Sequence, residues 1–404
     1  MSPVIVVGVS AEGWDALSST AQRVIETADV LVGGKRHLDL MPVIPAQTRD
    51  TWPRPLKDNL ASFMASYEGQ SVVVVASGDP LVSGIATTLI DLLGPDEVTV
   101  IPAISSVALA RAQMKWSAES VDVVTLVGRD HAALLRYLSP GRRLLVLSSD
   151  GSTPGSVAAL LRVAGFGETA MSVLSDLGTP EQARLDGRAD AWPDRLSPAL
   201  NVIALVCARP TGVAGAWSST SGLPDEAFLH DGQLTKRDLR ASAMARLAPV
   251  PGELLWDVGA GAGSLAIEWM RSDPRCHAIA IEAQPERAAR IAANASRLGV
   301  PGLSVVEGHA PEALSGLAAP DAIFIGGGAT EQGLIDGCWH ALRRGGRLVV
   351  HGVTMETEVV LAQWYAREGG ELTRISIERI DHIGSFTGWK PARAVTQWAI
   401  EKVR

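Results

Sequence analysis

Short apolar runs rich in Val, Ile and Leu recur along the whole of this 404-residue chain, and helical stretches separate many of them. Strands that are apolar throughout, without alternating polar residues, are typical of sheets that are buried on both faces. Their alternation with helices predicts an α/β fold. A chain of this length is too long for one ordinary core, so we expect two domains.

One segment interrupts this alternation. Residues 208–224 (ARPTGVAGAWSSTSGLP) are rich in Gly, Ser, Thr and Pro, a composition that is typical of connections between domains. We therefore predict a first domain over residues 1–208, a linker over 209–225 and a second domain over 226–404. Beyond the linker, Thr235 and Asp238 have the spacing of a capping box, which predicts that a helix begins at Thr235.

Composition excludes several classes of function. Charged residues make up 20% of the chain, and its net charge of -8 includes no basic tail or stripe, so we expect no nucleic-acid partner. The three cysteines are far apart, which indicates free thiols in a reducing compartment. The sequence has no signal peptide and no membrane-length apolar run, and its His, Cys and acidic residues lack metal-ligand spacing. We expect a cytoplasmic protein that binds neither a membrane nor a metal.

The clearest candidate site is a glycine-rich loop between a predicted strand and a predicted helix. It contains Asp257, Gly259, Gly261 and Gly263 in the sequence DVGAGAGS. Glycines let the backbone approach a ligand and adopt positive φ, and the helix that follows offers unpaired N–H groups. Glu282 ends the next predicted strand, where an acid typically binds ribose hydroxyls. The pattern predicts a site for a nucleoside cofactor, with a purely structural turn as the alternative.

The spacing of the glycines distinguishes between two classes of cofactor. A dinucleotide fingerprint needs Gly or Ala at its last position, where this chain has Ser264, which disfavours an NAD-linked oxidoreductase. The observed spacing resembles the first motif of class I S-adenosyl-L-methionine (SAM) methyltransferases. That resemblance implies a Rossmann-like domain with a seven-stranded mixed sheet, closed by an antiparallel pair of strands at residues 373–380 and 394–400. It also implies further cofactor contacts, for which the candidates are Thr235, His309, Ala310 and Gly326.

Loops of the first half resemble another family, the tetrapyrrole (corrin) methylases. The resemblance is carried by Gly8, by GGKRHL at 33–38, by ASGDPL at 76–81 with Gly84, by PAISS at 102–106 and by PGRRLLVLSSDG at 140–151. It implies a fold of two α/β subdomains with SAM held in the cleft between them by a Gly-Asp-Pro loop. The implied cofactor-binding residues are Gly8, Gly78, Asp79, Pro80, Ser105 and Ser106.

The first half departs from that family at one loop. The family usually has Gly-x-Gly-Pro-Gly, whereas this chain has Ser10 and Ala11 after Gly8-Val9. We therefore expect the loop, and with it the substrate entrance, to differ in shape. A first half that only binds and does not catalyse remains an alternative.

The two resemblances together cover nearly the whole chain, in the order found in the precorrin-6Y C5,15-methyltransferase (decarboxylating) family of cobalamin biosynthesis. This resemblance implies that the first domain methylates C5 of precorrin-6B. The second would methylate C15 and decarboxylate the C12 acetate, giving precorrin-8X, with one SAM site in each domain. It also implies an anionic precorrin as substrate and a homo-oligomer. The alternative is a methyltransferase for another small molecule, with the first half as a binding scaffold.

The implied chemistry shapes the choice of catalytic candidates. The reacting carbons of a reduced tetrapyrrole are enamine-like nucleophiles. They need placement against the methyl group of SAM more than they need a strong base. A substrate with many carboxylates needs cations, and Arg is suited to pairing with them. We therefore select Lys236 and Arg240 at the predicted helix start as leading candidates, together with His230 and Asp79 in the motif loops.

Overall fold

The chain folds into two compact units in a computed structural model that describes residues 3–211 and 217–403. The first unit comprises residues 1–131 and 139–215, and the second comprises residues 132–138 and 216–404. Part of the predicted linker, residues 212–216, lies outside the described residues. The predicted α/β class is confirmed in both units, while the domain limits at 208 and 226 remain a prediction.

The first unit contains two sheets, of which the first is parallel with the order β3-β2-β4-β1-β5. Its inner strands are short runs of buried Val, and helices connect most of them in the way parallel strands require. The strands are β1 (Val4–Val9), β2 (Val30–Gly33), β3 (Thr48–Thr51), β4 (Val72–Ser77) and β5 (Val98–Ile101), and the helices are α1 (Ser19–Glu26), α2 (Lys35–Asp39), α3 (Leu56–Ala65), α4 (Ile85–Leu93) and α5 (Ser106–Met114).

The second sheet of this unit is mixed, with the order β6-β7-β10-β8-β9. Only β6 and β7 pair in parallel, and the other neighbours pair antiparallel. Its elements are β6 (Asp122–Thr125), β7 (Arg143–Leu147), α6 (Thr153–Val163), β8 (Ala170–Ser175), β9 (Ala183–Arg188) and β10 (Asn201–Val206). The arrangement of two sheets agrees with the two subdomains that the family resemblance implies.

The second unit is built on one mixed sheet with the order β13-β12-β11-β14-β15-β19-β16 among the described residues. Its first five strands are parallel, and β19 is antiparallel to both neighbours. The elements are α7 (Arg237–Leu247), β11 (Leu254–Val258), α8 (Ser264–Ser272), β12 (His277–Glu282), α9 (Pro285–Arg297), β13 (Ser304–Glu307), β14 (Ala322–Ile325), α10 (Leu334–Ala341), β15 (Arg347–Gly352), α11 (Met355–Glu368), β16 (Glu371–Ile375), β17 (Glu378–Ile383), β18 (Phe386–Pro391) and β19 (Val395–Glu401).

Both faces of this sheet are covered by helices. Leu255 of β11 packs in one core with residues of α7, α8 and α9, and its neighbour Trp256 packs in another with residues of α10 and α11. Because successive side chains of a strand point to opposite faces, the apolar run of β11 serves both cores. The loops that follow the parallel strands are thereby fixed along one edge of the sheet.

The end of the chain differs in part from the sequence prediction. The expected antiparallel pair is present as β16 and β19. The apolar run at 373–380, however, is divided between β16 and β17, and β17 pairs with β18 in a separate hairpin. None of the described helices is both long enough and apolar enough to span a membrane.

Candidate active sites

A cavity of about 420 Å³ lies in the first unit, lined by residues of both its sheets. This volume is within the range of small-molecule sites, which is about 300–1,000 Å³. The lining contains the predicted Gly78 and Ser106. It also contains Arg36, His37 and Ser148, from the segments that carry the family resemblance, and Ser10, from the loop that departs from it, none of which was predicted as a site residue. Asp176 and Asn201, which the sequence did not single out, also line it.

Backbone packing around Gly78 shapes one wall of this cavity. The Gly78 N–H donates to the Val9 carbonyl at 2.8 Å, and the Gly78 carbonyl accepts from the Ala103 N–H at 3.2 Å. Gly78 has a φ of +54°, and a Cβ there would lie 2.9 Å from the Ile104 carbonyl oxygen. A Cβ on Gly8 would lie 2.0 Å from the Gly78 carbonyl oxygen. Both positions therefore require glycine, and Gly8 acts by allowing the Gly78 loop to approach.

Three predicted cofactor residues of this unit have local roles. Asp79 Oδ1 accepts from the Leu81 N–H at 2.9 Å and so closes its own turn. The Pro80 carbonyl accepts from the N–H of Ala86, and Ser105 Oγ caps α5 by accepting from Ala108. None of these three is among the cavity-lining residues of the described chain. The geometry gives no support to a catalytic Asp79, whose carboxylate serves the turn.

The second unit carries the glycine-rich loop between β11 and α8. Gly259, Gly261 and Gly263 have φ values of +69°, +59° and +75°, which confirms that the backbone there needs glycine. A Cβ on Gly263 would lie 2.7 Å from Ile291 Cγ2, and a Cβ on Gly261 would lie 2.9 Å from the Gln233 carbonyl oxygen. Close packing on both sides therefore fixes the shape of the loop.

Two buried acids hold the same loop. Glu282 accepts from the Gly261 N–H at 2.8 Å with one oxygen and from the Gln284 N–H at 3.1 Å with the other. Asp257 accepts from the Ala266 N–H at 3.1 Å. Burial raises the pKa of Asp257 to about 7, and the nearby Glu282 charge adds to this effect. Each Glu282 oxygen keeps a second lone pair that is available to a ribose hydroxyl. The contact between Glu282 and a ribose therefore remains a prediction.

Loops after the neighbouring strands meet at this edge of the sheet. The Gly308 N–H donates to the Glu282 carbonyl at 3.0 Å, and the Gly326 N–H donates to the Val258 carbonyl at 3.1 Å. His309 and Gly326 are exposed, and Ala310 is half-buried. The predicted residues from four parallel strands thus line one open edge, the place where open α/β sheets bind ligands.

A loop at residues 230–235 reaches the glycine-rich loop, since the Gln233 carbonyl lies near Gly261. Asp231 fixes it, because its carboxylate is bound by Arg287 at 2.9 Å and by Arg290 at 3.1 Å, both from α9. The hydrogen bonds from Arg287 and from the Gln233 N–H, together with the nearby Arg290, hold the pKa of Asp231 well below its usual range. The predicted His230 is exposed in this loop, and its Nδ1 accepts from the Gly232 N–H. The sequence did not single out the anchoring role of Asp231.

Arg240 corrects the sequence prediction. Its side chain is fully buried, and its Nε donates to Glu268 at 2.7 Å. Its Nη1 lies 3.3 Å from Asp225, and its guanidinium lies 4.9 Å from the Phe228 ring centre. Because these partners leave no open face for a substrate carboxylate, the predicted substrate contact is wrong. Arg240 joins α7 to α8 within the core.

The start of α7 also differs from the prediction. The helix begins at Arg237, and the cap position is Lys236 rather than Thr235. Asp225 accepts from the Arg237 N–H at 3.0 Å and so replaces the predicted side-chain cap, while the Thr235 carbonyl accepts from Arg240. Lys236 is partly exposed with its Nζ 3.7 Å from Asp225, and it remains a candidate cation.

The described residues contain no group of three or more His, Cys, Asp or Glu side chains that could hold a metal ion. The polar groups of both sites are instead suited to binding an organic ligand through backbone N–H groups, carboxylates and hydroxyls.

Comparisons with known proteins match both units. A family described as tetrapyrrole (corrin/porphyrin) methylases matches residues 3–192, and a family described as the precorrin methyltransferase domain matches residues 226–402. A precorrin-6Y C(5,15)-methyltransferase (decarboxylating) from Sinorhizobium sp is 44% identical over 98% of this chain and 96% of its own length.

Two shorter relatives match parts of the chain. A cobalt-precorrin-7 C(5)-methyltransferase from Salmonella typhimurium is 31% identical over 43% of this chain and 84% of its own length. A probable cobalt-precorrin-6B C(15)-methyltransferase (decarboxylating) from Saccharolobus solfataricus is 32% identical over 34% of this chain and 71% of its own length.

Proposed function

The chain belongs to the precorrin-6Y C5,15-methyltransferase (decarboxylating) family of SAM-dependent enzymes in cobalamin biosynthesis, and on that premise we propose that its two units divide the work. The first unit methylates C5 of the precorrin. The second unit methylates C15 and removes the carboxyl group of the C12 acetate. The substrate is precorrin-6B and the product is precorrin-8X.

The observation that carries this division is the presence of two differently built candidate sites, one in each unit. The first is a cavity bounded by the Gly78 turn, and the second is an open sheet edge beside Gly261. The names of the two shorter relatives support it, because each assigns one of the two methylations to a chain that matches less than half of this one.

Each of the two sites fits one SAM molecule. The first offers a cavity of suitable volume, and the second offers the open edge of the sheet where the loops after β11, β12, β13 and β14 meet. When bound, SAM supplies a sulfonium methyl group that a carbon nucleophile can attack. The residues that would hold it are Gly78 and Ser106 in the first unit, and Gly259, Gly261, Glu282, His309, Ala310 and Gly326 in the second.

The main task of the protein in each methylation is placement. Holding the reacting carbon in line with the methyl group converts an encounter in solution into a step within one complex, which contributes a large part of the rate. In the second unit, His230 and Lys236 lie at the two sides of the Gln233 segment that contacts Gly261. We assign them to hold the acetate arm and to assist proton movement during decarboxylation.

The proposed activity is tested by incubating the full-length protein with precorrin-6B and SAM and weighing the product. We expect two methyl groups to be gained and one CO2 to be lost. A folded, SAM-binding protein that leaves the mass of the precorrin unchanged would refute the proposal.

We further propose that the chain forms a homo-oligomer through the β17–β18 hairpin. This hairpin exposes two cross-strand apolar pairs, Ile380 with Trp389 and Ile383 with Phe386. Trp389 is 67% exposed and Phe386 is 76% exposed. Because Ile380 and Ile383 are three positions apart, the two pairs lie on opposite faces of the hairpin, and each face presents apolar surface to a second copy of the chain. Light scattering is expected to give a multiple of the chain mass for the wild type and a smaller mass for Trp389→Ser with Phe386→Ser. A monomeric wild type would contradict this.

The chain's three cysteines, Cys207, Cys276 and Cys338, are buried and free. Free thiols are the usual state in a reducing compartment, and they support our proposal that the protein works in the cytoplasm.

A further inference from the structure

Two polar atoms beside the cavity of the first unit lack a partner. Ser10 Oγ and His37 Nε2 are buried and have no hydrogen-bond partner among the described residues. Two other hydroxyls that line the same cavity have partners, since Ser148 Oγ donates to Asn201 at 2.5 Å and Ser149 Oγ donates to the Leu126 carbonyl at 2.6 Å. A buried polar group without a partner is costly to the fold, so the pair points to a binding role for this wall of the cavity.

The position of these atoms connects them to the candidate site. Ser10 follows β1, and His37 lies in α2 directly after β2. Strand β4 lies between β2 and β1 in the sheet, so the two side chains come from the strands on either side of the one that leads to Gly78. Among the described residues, neither Ser10 Oγ nor His37 Nε2 is held by a hydrogen bond, and both residues line the cavity.

The charged and polar groups around His37 indicate which chemical class of ligand this wall of the cavity binds. Arg36 lines the cavity next to His37, and its guanidinium forms no ion pair within the described part of the chain. Burial, with a smaller contribution from Arg36, lowers the pKa of His37, which keeps its ring neutral and able to donate one hydrogen bond. One cation with a ring N–H and a hydroxyl is a set of donors that suits a carboxylate.

We propose that Ser10, Arg36 and His37 form a subsite that binds a carboxylate arm of the precorrin and orients the macrocycle for methylation in the first unit. The inference rests on the proposed function, which supplies the polycarboxylate substrate. It also gives a role to Ser10, which stands in the loop where this chain departs from the usual glycine-rich sequence. A carboxylate is also present in the methionine portion of SAM, so the test separates these two sources.

The experiment uses the full-length protein with Arg36→Gln, His37→Phe and Ser10→Ala variants. The control is Lys35→Gln, which removes an exposed neighbouring cation that does not line the cavity. KM and kcat for C5 methylation are measured with precorrin-6B at saturating SAM, and SAM affinity is measured by calorimetry. The methylation at C15 in the same reaction reports on the intact second unit.

We expect Arg36→Gln to raise the precorrin KM for the C5 step about tenfold, as loss of a charge-assisted hydrogen bond would do, with a smaller change in kcat. SAM affinity and C15 methylation are expected to stay unchanged, and Arg36→Lys is expected to recover part of the loss. Arg36 is exposed, so its replacement tests recognition without disturbing the core.

Two results would overturn the inference. An unchanged precorrin KM in all three variants would show that the subsite does not bind the substrate. Weaker SAM binding with an unchanged precorrin KM would assign the carboxylate to SAM instead. Both results presuppose a wild type that methylates C5; a wild type that fails to do so would refute the proposed function and this inference together.

Discussion

The two candidate sites use their polar side chains in opposite ways. In the second unit, Asp257, Glu282 and Asp231 are all engaged with backbone N–H groups or arginines that fix the loops. In the first unit, backbone packing between glycines shapes the loops, and Ser10 Oγ and His37 Nε2 have no hydrogen-bond partner within the described residues. Polar substitutions are therefore expected to alter the shape of the second site but the ligand recognition of the first.

The largest expected effect is on the buried Arg240. Replacing it with Met leaves the Glu268 carboxylate buried without its cation, which is expected to lower the free energy of unfolding of the second unit by about 3–5 kcal/mol. Denaturant unfolding measures this change, and C15 methylation should be lost before C5 methylation. The matched control is Arg379→Met, which removes an exposed pair with Asp238 and should cost less than about 1 kcal/mol. Equal losses in the two variants would contradict a structural role for Arg240.

Glycine substitutions should affect SAM binding in one unit at a time. The wild type is expected to bind two SAM molecules per chain, whereas Gly78→Ala and Gly261→Ala should each bind one, because the added Cβ lies within 3 Å of a carbonyl oxygen in both cases. Calorimetry gives the stoichiometry.

Each substitution has a matched control. Gly155→Ala in the first unit and Gly302→Ala in the second place a Cβ where no atom lies within 4 Å, and both should keep two sites. Loss of both sites in either test variant would argue against independent binding.

A smaller effect concerns the pH dependence of the second unit. The pKa of Asp257 is about 7 in the folded protein and near 3.8 when unfolded. Between these values the folded state holds a proton that the unfolded state has released, so this group lowers the free energy of unfolding by about 1.4 kcal/mol per pH unit as pH rises. The contribution of protonated Asp257 to the free energy of unfolding is fully lost above about pH 7. Asp257→Asn should remove this slope, and parallel curves for the two proteins from pH 4 to pH 7 would contradict the assignment.

The smallest expected effect is on the anchor of the 230–235 loop. Asp231→Asn weakens the ion pairs with Arg287 and Arg290, which are partly exposed. We expect the precorrin KM of the C15 step to rise about threefold at low salt, and by less at high salt because the ion pairs are screened. Kinetics at two salt concentrations test this. A rise in the KM of the C5 step, and not of the C15 step, would contradict the assignment of this loop to the second site.

Much of the fold followed from sequence patterns. The apolar strands and the positive-φ glycines at 259–263 could be predicted because burial on both faces and tight turns leave clear signals. The edge strands β3 (TRDT) and β9 (ARLDGR) were missed, since edge strands carry polar residues and lack an apolar run. The β17–β18 hairpin could not be predicted because its residues are exposed, so no buried face imposes a hydrophobic pattern on its sequence.

Individual site residues were harder to predict than the loops that carry them. Arg240 is predicted to bind a substrate carboxylate because Arg is suited to that pairing, and only the fold brings Glu268 and Asp225 to it. In the same way, Ser10 and His37 are separated along the sequence, and the order of strands in the sheet places them on either side of the strand that leads to Gly78. Their missing hydrogen bonds have no counterpart in the sequence.

The assignment of one methylation to each unit is tested most directly by the products of the Gly78→Ala and Gly261→Ala proteins with precorrin-6B and SAM. Mass spectrometry of fragments locates the methyl groups. We expect a C15-methylated, decarboxylated product from Gly78→Ala and a product lacking the C15 methyl group from Gly261→Ala. The same product from both variants, or loss of both methylations in each, would contradict it.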